Sequence, residues 1–396
     1  MSRCFQSGDI LLPDTGDMQK WSVIACDQHT SDISYWVDVR EFVGASLSTL
    51  NLILPEAELS AVTKQTIENI NTYMETYLKN NVIKVYPNSY VYLERTLLNG
   101  DIRQGIVGVV DLETYHYFYK DGVKVCATEE TVMERIPPRV AVRENAPMEF
   151  GHIIVFCDDE NNSLIEPVGN KKDALPLLYD FELMAGGGHI RGWLIDGENA
   201  KALDDAILKY EQNNYYLVAD GNHSLVTAKS CYEKNKESGT YSGPARFALV
   251  ELENINSPAI DFEPIHRILL NTDVESLLRD IEEICVDNGA PITWSSGGKH
   301  GTLYLNVRED EMEVAVLQRF LDQWLKFHSG EIDYLHGEDV LEGLAKKQGN
   351  IGFLLPKPDR KKMFACILSG KALQRKSFSL GHTSEKRYYL EGRKIK

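Results

Sequence analysis

Between residues 152 and 251 the chain alternates short apolar segments with stretches whose apolar residues recur at helical spacing, and this order most limits the folds open to it. The predicted elements run strand 152–157, helix 171–184, strand 190–195, helix 198–211, strand 215–219, helix 223–236 and strand 245–251. Strands and helices in this alternation make a mixed α/β core with flanking helices. Upstream, Leu59, Val62, Ile67, Ile70, Tyr73, Tyr77 and Leu78 predict one amphipathic helix within 55–81. The period then shortens to two across 89–97, 105–112, 115–119 and 123–127, with Asp121-Gly122 as a positive-φ turn, which predicts a hairpin-rich sheet. Pro137 and Pro138 are read as ending that region, because they lack backbone donors and restrict the residue before them. Downstream, helices are expected over 274–286, 314–327 and 338–347, and strands over 302–307, 351–355 and 363–368. Three closely packed subdomains follow, drawn at 1–150, 151–270 and 271–396.

With 396 residues, 43% of them apolar, each region is large enough to bury its own core. Acidic residues outnumber basic ones by 59 to 42, a net charge of −17, so neither nucleic acid nor an anionic membrane is the expected partner. The seven cysteines are scattered and form no C-x-x-C pair, which argues against a disulfide framework and a Cys-rich zinc site. No stretch approaches the roughly 18 uninterrupted apolar residues of a membrane span, nor does the start look like a leader, so a cytoplasmic protein is expected.

The most informative stretch is 215–229, where a buried strand runs directly into Asp220, Gly221, Asn222 and His223 at the opening of a helix. A helix start presents free N–H groups and partial positive charge, which suits phosphate on Gly221 and Asn222. Asp220 is placed to hold a metal or accept a proton, and His223 to donate to a phosphoryl oxygen. The competing reading is a D-G-N turn with a side-chain cap. Between 129 and 143 lie Glu129, Glu130, Glu134, Arg135, Arg139 and Arg143, either an anion clamp beside a carboxylate base or a solvated charged face. Asp27 follows an apolar run and would face a site from a strand end, as a second metal candidate. His266-Arg267 interrupts an apolar stretch, and Lys376 and Arg387 concentrate positive charge near the end of an acidic chain. Each of these suits phosphate contact, or a core histidine and a solubilising surface.

Other patterns carry less. Ala185-Gly186-Gly187-Gly188-His189 lacks the lysine and spacing of a P-loop and reads as a helix exit into a strand. Asp158-Asp159-Glu160-Asn161-Asn162 reads as a surface turn without the EF-hand continuation. Neither H-E-x-x-H nor G-x-S-x-G occurs.

The run VADGNHSLVTAK resembles the D-G-H-H-R-Y-x-x-A segment of the DUF1015 family of bacterial and archaeal proteins. WSVIACDQHTSDISYW, ATEETVMERIPPRVAVRENAP, FEPIHRILL and RKSFSLGHTSEKRYYLEGRKI fit the same family, so the resemblance covers nearly the whole chain. The D-G-H-H-R segment is similar to the nucleotide-handling segment of the ParB/sulfiredoxin superfamily, which includes free-serine kinases. The resemblance implies a ParB/sulfiredoxin-like core, Mg²⁺, and ATP, ADP or AMP as co-substrate. It also moves Glu129, Glu130 and Arg135 toward a functional role. Family members are often encoded near serine-biosynthesis genes, which points to a serine-like hydroxyl or its phosphate ester as the other substrate. Two positions depart from the pattern: Asn222 replaces the first His and Ser224 the Arg, so another residue must supply that positive charge. The expectation is a small-molecule phosphotransferase with a small phosphorylated or hydroxyl-bearing substrate, and a homo-oligomer is permitted. A nucleotide-binding switch and a metal-dependent phosphomonoester hydrolase are the alternatives.

Overall fold

The computed structural model describes residues 3–14, 16–24, 33–55, 58, 61–116, 123–129, 135–239, 243–370, 373–374, 376–381 and 385–396. Their fold is mixed α/β, as the alternation predicts, and they divide into two compact units. One takes the described residues of Met1–Ala127, Thr131–Ile260 and His382–Lys396, the other those of Thr128–Glu130 and Asp261–Gly381.

The first unit is built on a sheet of thirteen strands among the described residues. Ten of them run in the order Tyr115–His116, Val125–Cys126, Tyr216–Asp220, Ile153–Cys157, Phe247–Asn254, Ile102–Asp111, Ile83–Thr96, Gly8–Pro13, Gly392–Lys394 and Met148–Phe150, while Phe5–Gln6 pairs with Ile102–Asp111, and His189–Ile195 joins Leu177–Glu182 to Ile83–Thr96. Residues from all three regions drawn on the sequence therefore meet in one sheet. Ile153–Cys157 runs parallel to Phe247–Asn254 and antiparallel to Tyr216–Asp220, so the sheet is mixed. Its centre is apolar on both faces: Val155, Val218 and Val250 pack against Leu225 and Tyr232, while Val91, Val107 and Leu249 pack toward Trp21, Met74 and Phe150.

Four local expectations change. Lys64–Lys79 is the amphipathic helix, burying Ile70, Met74 and Tyr77, but it starts where the Thr63 side chain caps Thr66 N–H at 3.1 Å and not at residue 55. Pro137 and Pro138 lie beyond the last described strand of the hairpin-rich region, Val125–Cys126, and are themselves helical. They open helix Ile136–Asn145, in the first turn, where a missing N–H costs nothing. The expected helix 171–184 contains Pro176 and is instead a short turn followed by strand Leu177–Glu182, paired with His189–Ile195. The glycines at 186–188 therefore link two strands. Segment 363–368 is helical, within Arg360–Leu368, because Asp359 caps Lys362 N–H at 2.8 Å. A short apolar run has no period of its own to separate helix from strand.

The second unit is an antiparallel five-stranded sheet, ordered Lys299–Leu305, Cys285–Ser296, Ile351–Leu354, His266–Leu270 and Glu331–Leu335. Helix Glu338–Ala345 buries Leu341 and Ala345 against Ile268. Among the described residues no helix is long and apolar enough to cross a membrane.

Candidate active site

Tyr216, Leu217 and Val218 are buried and pair regularly with Cys157, Phe156 and Val155. The register then slips, so that Asp220 stands opposite Ile154 and the strand end is re-aimed. Gly221 follows with φ +92°, and helix Asn222–Glu237 begins at once. A Cβ at Gly221 would stand 3.2 Å from Ile153 Cγ1 and 3.3 Å from Arg387 Cζ. Backbone handedness and space both select glycine here. Gly221→Ala is expected to cost about 1–2 kcal/mol, read as a lower denaturant midpoint; an unchanged midpoint would mean that the turn relaxes freely.

His223 lies in the first turn of this helix, which packs against helix Ile136–Asn145. Arg135, Arg139 and Arg143 stand four residues apart, the spacing of one helix face. Arg387 arrives from the segment before strand Tyr388–Tyr389. Its Nη1 donates to the His152 carbonyl at 3.1 Å and its Nε lies 3.4 Å from Asp220 Oδ2. Burial, reinforced by Arg139, Arg135 and Arg387 and opposed by Asp220, pushes the His223 imidazole down to about 4. At neutral pH it is an uncharged hydrogen-bonding group surrounded by cations. All six of Asp220, Gly221, His223, Arg135, Arg139 and Arg387 line one open cleft of about 1290 Å³, mouth included. Asn222 sits between two of them in the helix opening.

A second charged layer lies behind Arg387. Arg95 Nη1 donates to the carbonyls of Glu385 and Lys386 at 2.9 and 2.8 Å, and Arg103 Nη2 to that of Glu385 at 2.9 Å. These bonds fix the segment that carries Arg387. Beside them His152 is buried between two carboxylates, with Nε2 2.5 Å from Glu251 Oε2 and Nδ1 3.3 Å from Glu391 Oε2. Burial opposes its charge, but the two carboxylates prevail and push it up to about 10. Burial pushes Glu253, next along the same strand face, up to about 8 against the pull of Arg103.

The remaining candidates fall elsewhere. Glu129, His266, Arg267 and Lys376 belong to the second unit. There Arg267 is wholly buried, donating to Gln318 Oε1 at 2.9 Å and to the carbonyls of Ile265 and Lys376 at 2.5 and 2.7 Å. His266 is buried, accepts from Leu355 N–H at 3.1 Å, and is pushed down to about 4 by burial and by His336 and Arg267. Lys376 is exposed, with its ammonium 4.7 Å from the Tyr334 ring centre, and Glu129 bridges to Leu373. Asp27 and Glu130 lie outside the described residues.

Among the described residues no group of three or more His, Cys, Asp or Glu is placed to hold a metal ion. Mg²⁺ does not require one, since it is commonly held by one or two carboxylates with phosphate oxygens and water. Asp220, the carboxylate at the strand end, fits that role.

The sequence reading missed the His152 layer and the apolar half of the cleft. The first had a signal: Glu251 and Glu253 alternate with Val250 and Leu252, which puts two carboxylates on one face of a central strand. The second had none, because Trp36, Leu52, Met74 and Phe150 read as ordinary core residues.

Among solved structures, the chain is similar to SbnI with a C-terminal truncation from Staphylococcus aureus, at 11% identity and a TM-score of 0.37 over 69% of this chain and 83% of that one. A free serine kinase variant in complex with AMP gives 10% identity and a TM-score of 0.39, covering 73% and 92%. A conserved hypothetical protein from Pyrococcus furiosus gives 9% and 0.37, covering 73% and 95%. No curated protein matches the chain. A family model matches residues 11–390, and by that match the chain belongs to the family described as protein of unknown function, DUF1015.

Proposed function

We propose that the protein is a small-molecule phosphotransferase, with a ParB/sulfiredoxin-like core, that moves a phosphoryl group between a nucleotide and a serine-like hydroxyl. The observation that carries this reading is the convergence of Arg135, Arg139 and Arg387 on a neutral His223 at a helix start, in a chain of net charge −17. Local positive charge against that background selects an anion. Phosphoryl transfer asks the protein mainly to position groups and to neutralise developing charge. Phosphate sits on the N–H groups after Gly221 and at Asn222, and His223 donates to it. Arg135 and Arg139 provide from the neighbouring helix the charge that Ser224 lacks. Asp220 accepts the hydroxyl proton or supplies an oxygen to Mg²⁺, which when bound would shield the phosphate charge. Arg387 holds the Asp220 carboxylate in place.

The test is phosphorus NMR with Mg²⁺, offering phosphoserine with AMP or ADP, and L-serine with ADP or ATP. Transfer to or from the nucleotide is the expected result, reduced about tenfold in His223→Ala by loss of one hydrogen bond to a charged group. Phosphate release without nucleotide would replace the reading with a hydrolase, and silence in every mixture would leave a nucleotide switch.

A further inference from the structure

The cleft is divided along its length. Arg135 and Arg139 stand by His223, whereas Val142 and Ala146 line the cleft toward the other end of the same helix, followed by Met148 and Phe150. At 1.5 Å per residue, Ala146 lies about 10 Å beyond Arg139 along the axis. Trp36, Leu52, Ile53, Leu54 and Met74 add an apolar wall from the N-terminal segments. One polar pair is set into this apolar lining: Arg143 bonds Glu149, whose other oxygen lies 3.1 Å from Arg393 Nη1.

A free serine has no apolar body to cover such a wall. A plain alkyl chain would cover it, but would strip water from the Arg143–Glu149 pair and offer its remaining hydrogen-bonding capacity nothing in return. A flat heterocycle meets both conditions, offering faces to Trp36 and Phe150 and edge nitrogens to the embedded pair. The distance from the arginines also suits a nucleoside diphosphate lying along the helix. We infer that the apolar half of the cleft is a nucleobase subsite, with the diphosphate of the same ligand at Arg135, Arg139 and His223. The inference rests on the phosphotransferase reading for its phosphate end and adds which part of the ligand lies where.

Calorimetric titration with Mg²⁺ compares three probes: ADP, pyrophosphate and geranyl diphosphate. Base stacking predicts ADP binding at least about tenfold tighter than pyrophosphate. Leu54→Asp, at a half-buried position on the wall, is expected to remove that preference while pyrophosphate binds as before. Pyrophosphate binding as tightly as ADP, or geranyl diphosphate binding more tightly than ADP, would overturn the base subsite and leave the phosphate end standing. Failure of all three to bind would overturn the subsite and the phosphotransferase reading together.

Discussion

Asp220→Asn is expected to lower phosphoryl transfer by about 10²- to 10⁴-fold, the range associated with loss of a general base. The substitution preserves shape, so the strand end, the Gly221 turn and the helix after it should stand as before. It removes the carboxylate that faces Arg387 Nε at 3.4 Å and that raises the His223 pKa. His223 then stays neutral over an even wider pH range, and the cleft becomes more positive. Pyrophosphate should therefore bind at least as tightly as in the parent without Mg²⁺, while transfer collapses. Opposite movement of affinity and rate is the signature, read by calorimetry beside phosphorus NMR. Transfer within about threefold of the parent would remove Asp220 from the chemistry and leave it as a partner for Arg387.

The second large effect concerns stability. His152→Leu removes the cation between Glu251 and Glu391 and leaves two buried carboxylates facing each other, at a cost of about 3–5 kcal/mol in the first unit. Its pH dependence has a definite sign. His152 is held at about 10 when folded against an ordinary 6.5, so its contribution is complete below pH 6.5 and fades as pH rises toward 10. Glu253, held at about 8 against 4.5, likewise favours the folded state at low pH and loses that contribution between 4.5 and 8. His223 and His266, both pushed down to about 4, act in the opposite direction and weaken the fold as pH falls from 6.5 to 4. Denaturant midpoints of the parent should thus fall from pH 6.5 to 10, and in His152→Leu the decline should be smaller from a lower start. Parallel declines in the two proteins would show that the imidazole carries no charge in the folded state.

What the sequence made legible was local. The strand, turn and helix over 215–236 were readable because the apolar period changes at Asp220-Gly221, and the turn chemistry there has few alternatives. The arginines between 135 and 143 were visible as a cluster, but their alignment was hidden by Pro137 and Pro138, which read as a break and act as a helix start. Pro176 counts against a helix over 171–184, since it lacks a backbone donor, and strand Leu177–Glu182 begins directly after it. Long-range placement was beyond reach: Trp36, Met74, Phe150 and Tyr389 meet in one cleft only through tertiary packing, and nothing in their local patterns joins them.

The strand Gly392–Lys394 lies between Gly8–Pro13 and Met148–Phe150, inside the sheet of the first unit. During synthesis the ribosome must therefore deliver the whole second unit before the residues that fill this gap emerge. Until then two strands present unpaired backbone edges, the kind of surface that recruits other chains. The second unit precedes this strand in the chain, whereas the first waits for the segment that carries Arg387. Ordering of the cleft thus waits on residues 385–396, and ribosomes stalled after residue 381 would carry a nascent chain whose proposed phosphate site lacks Arg387.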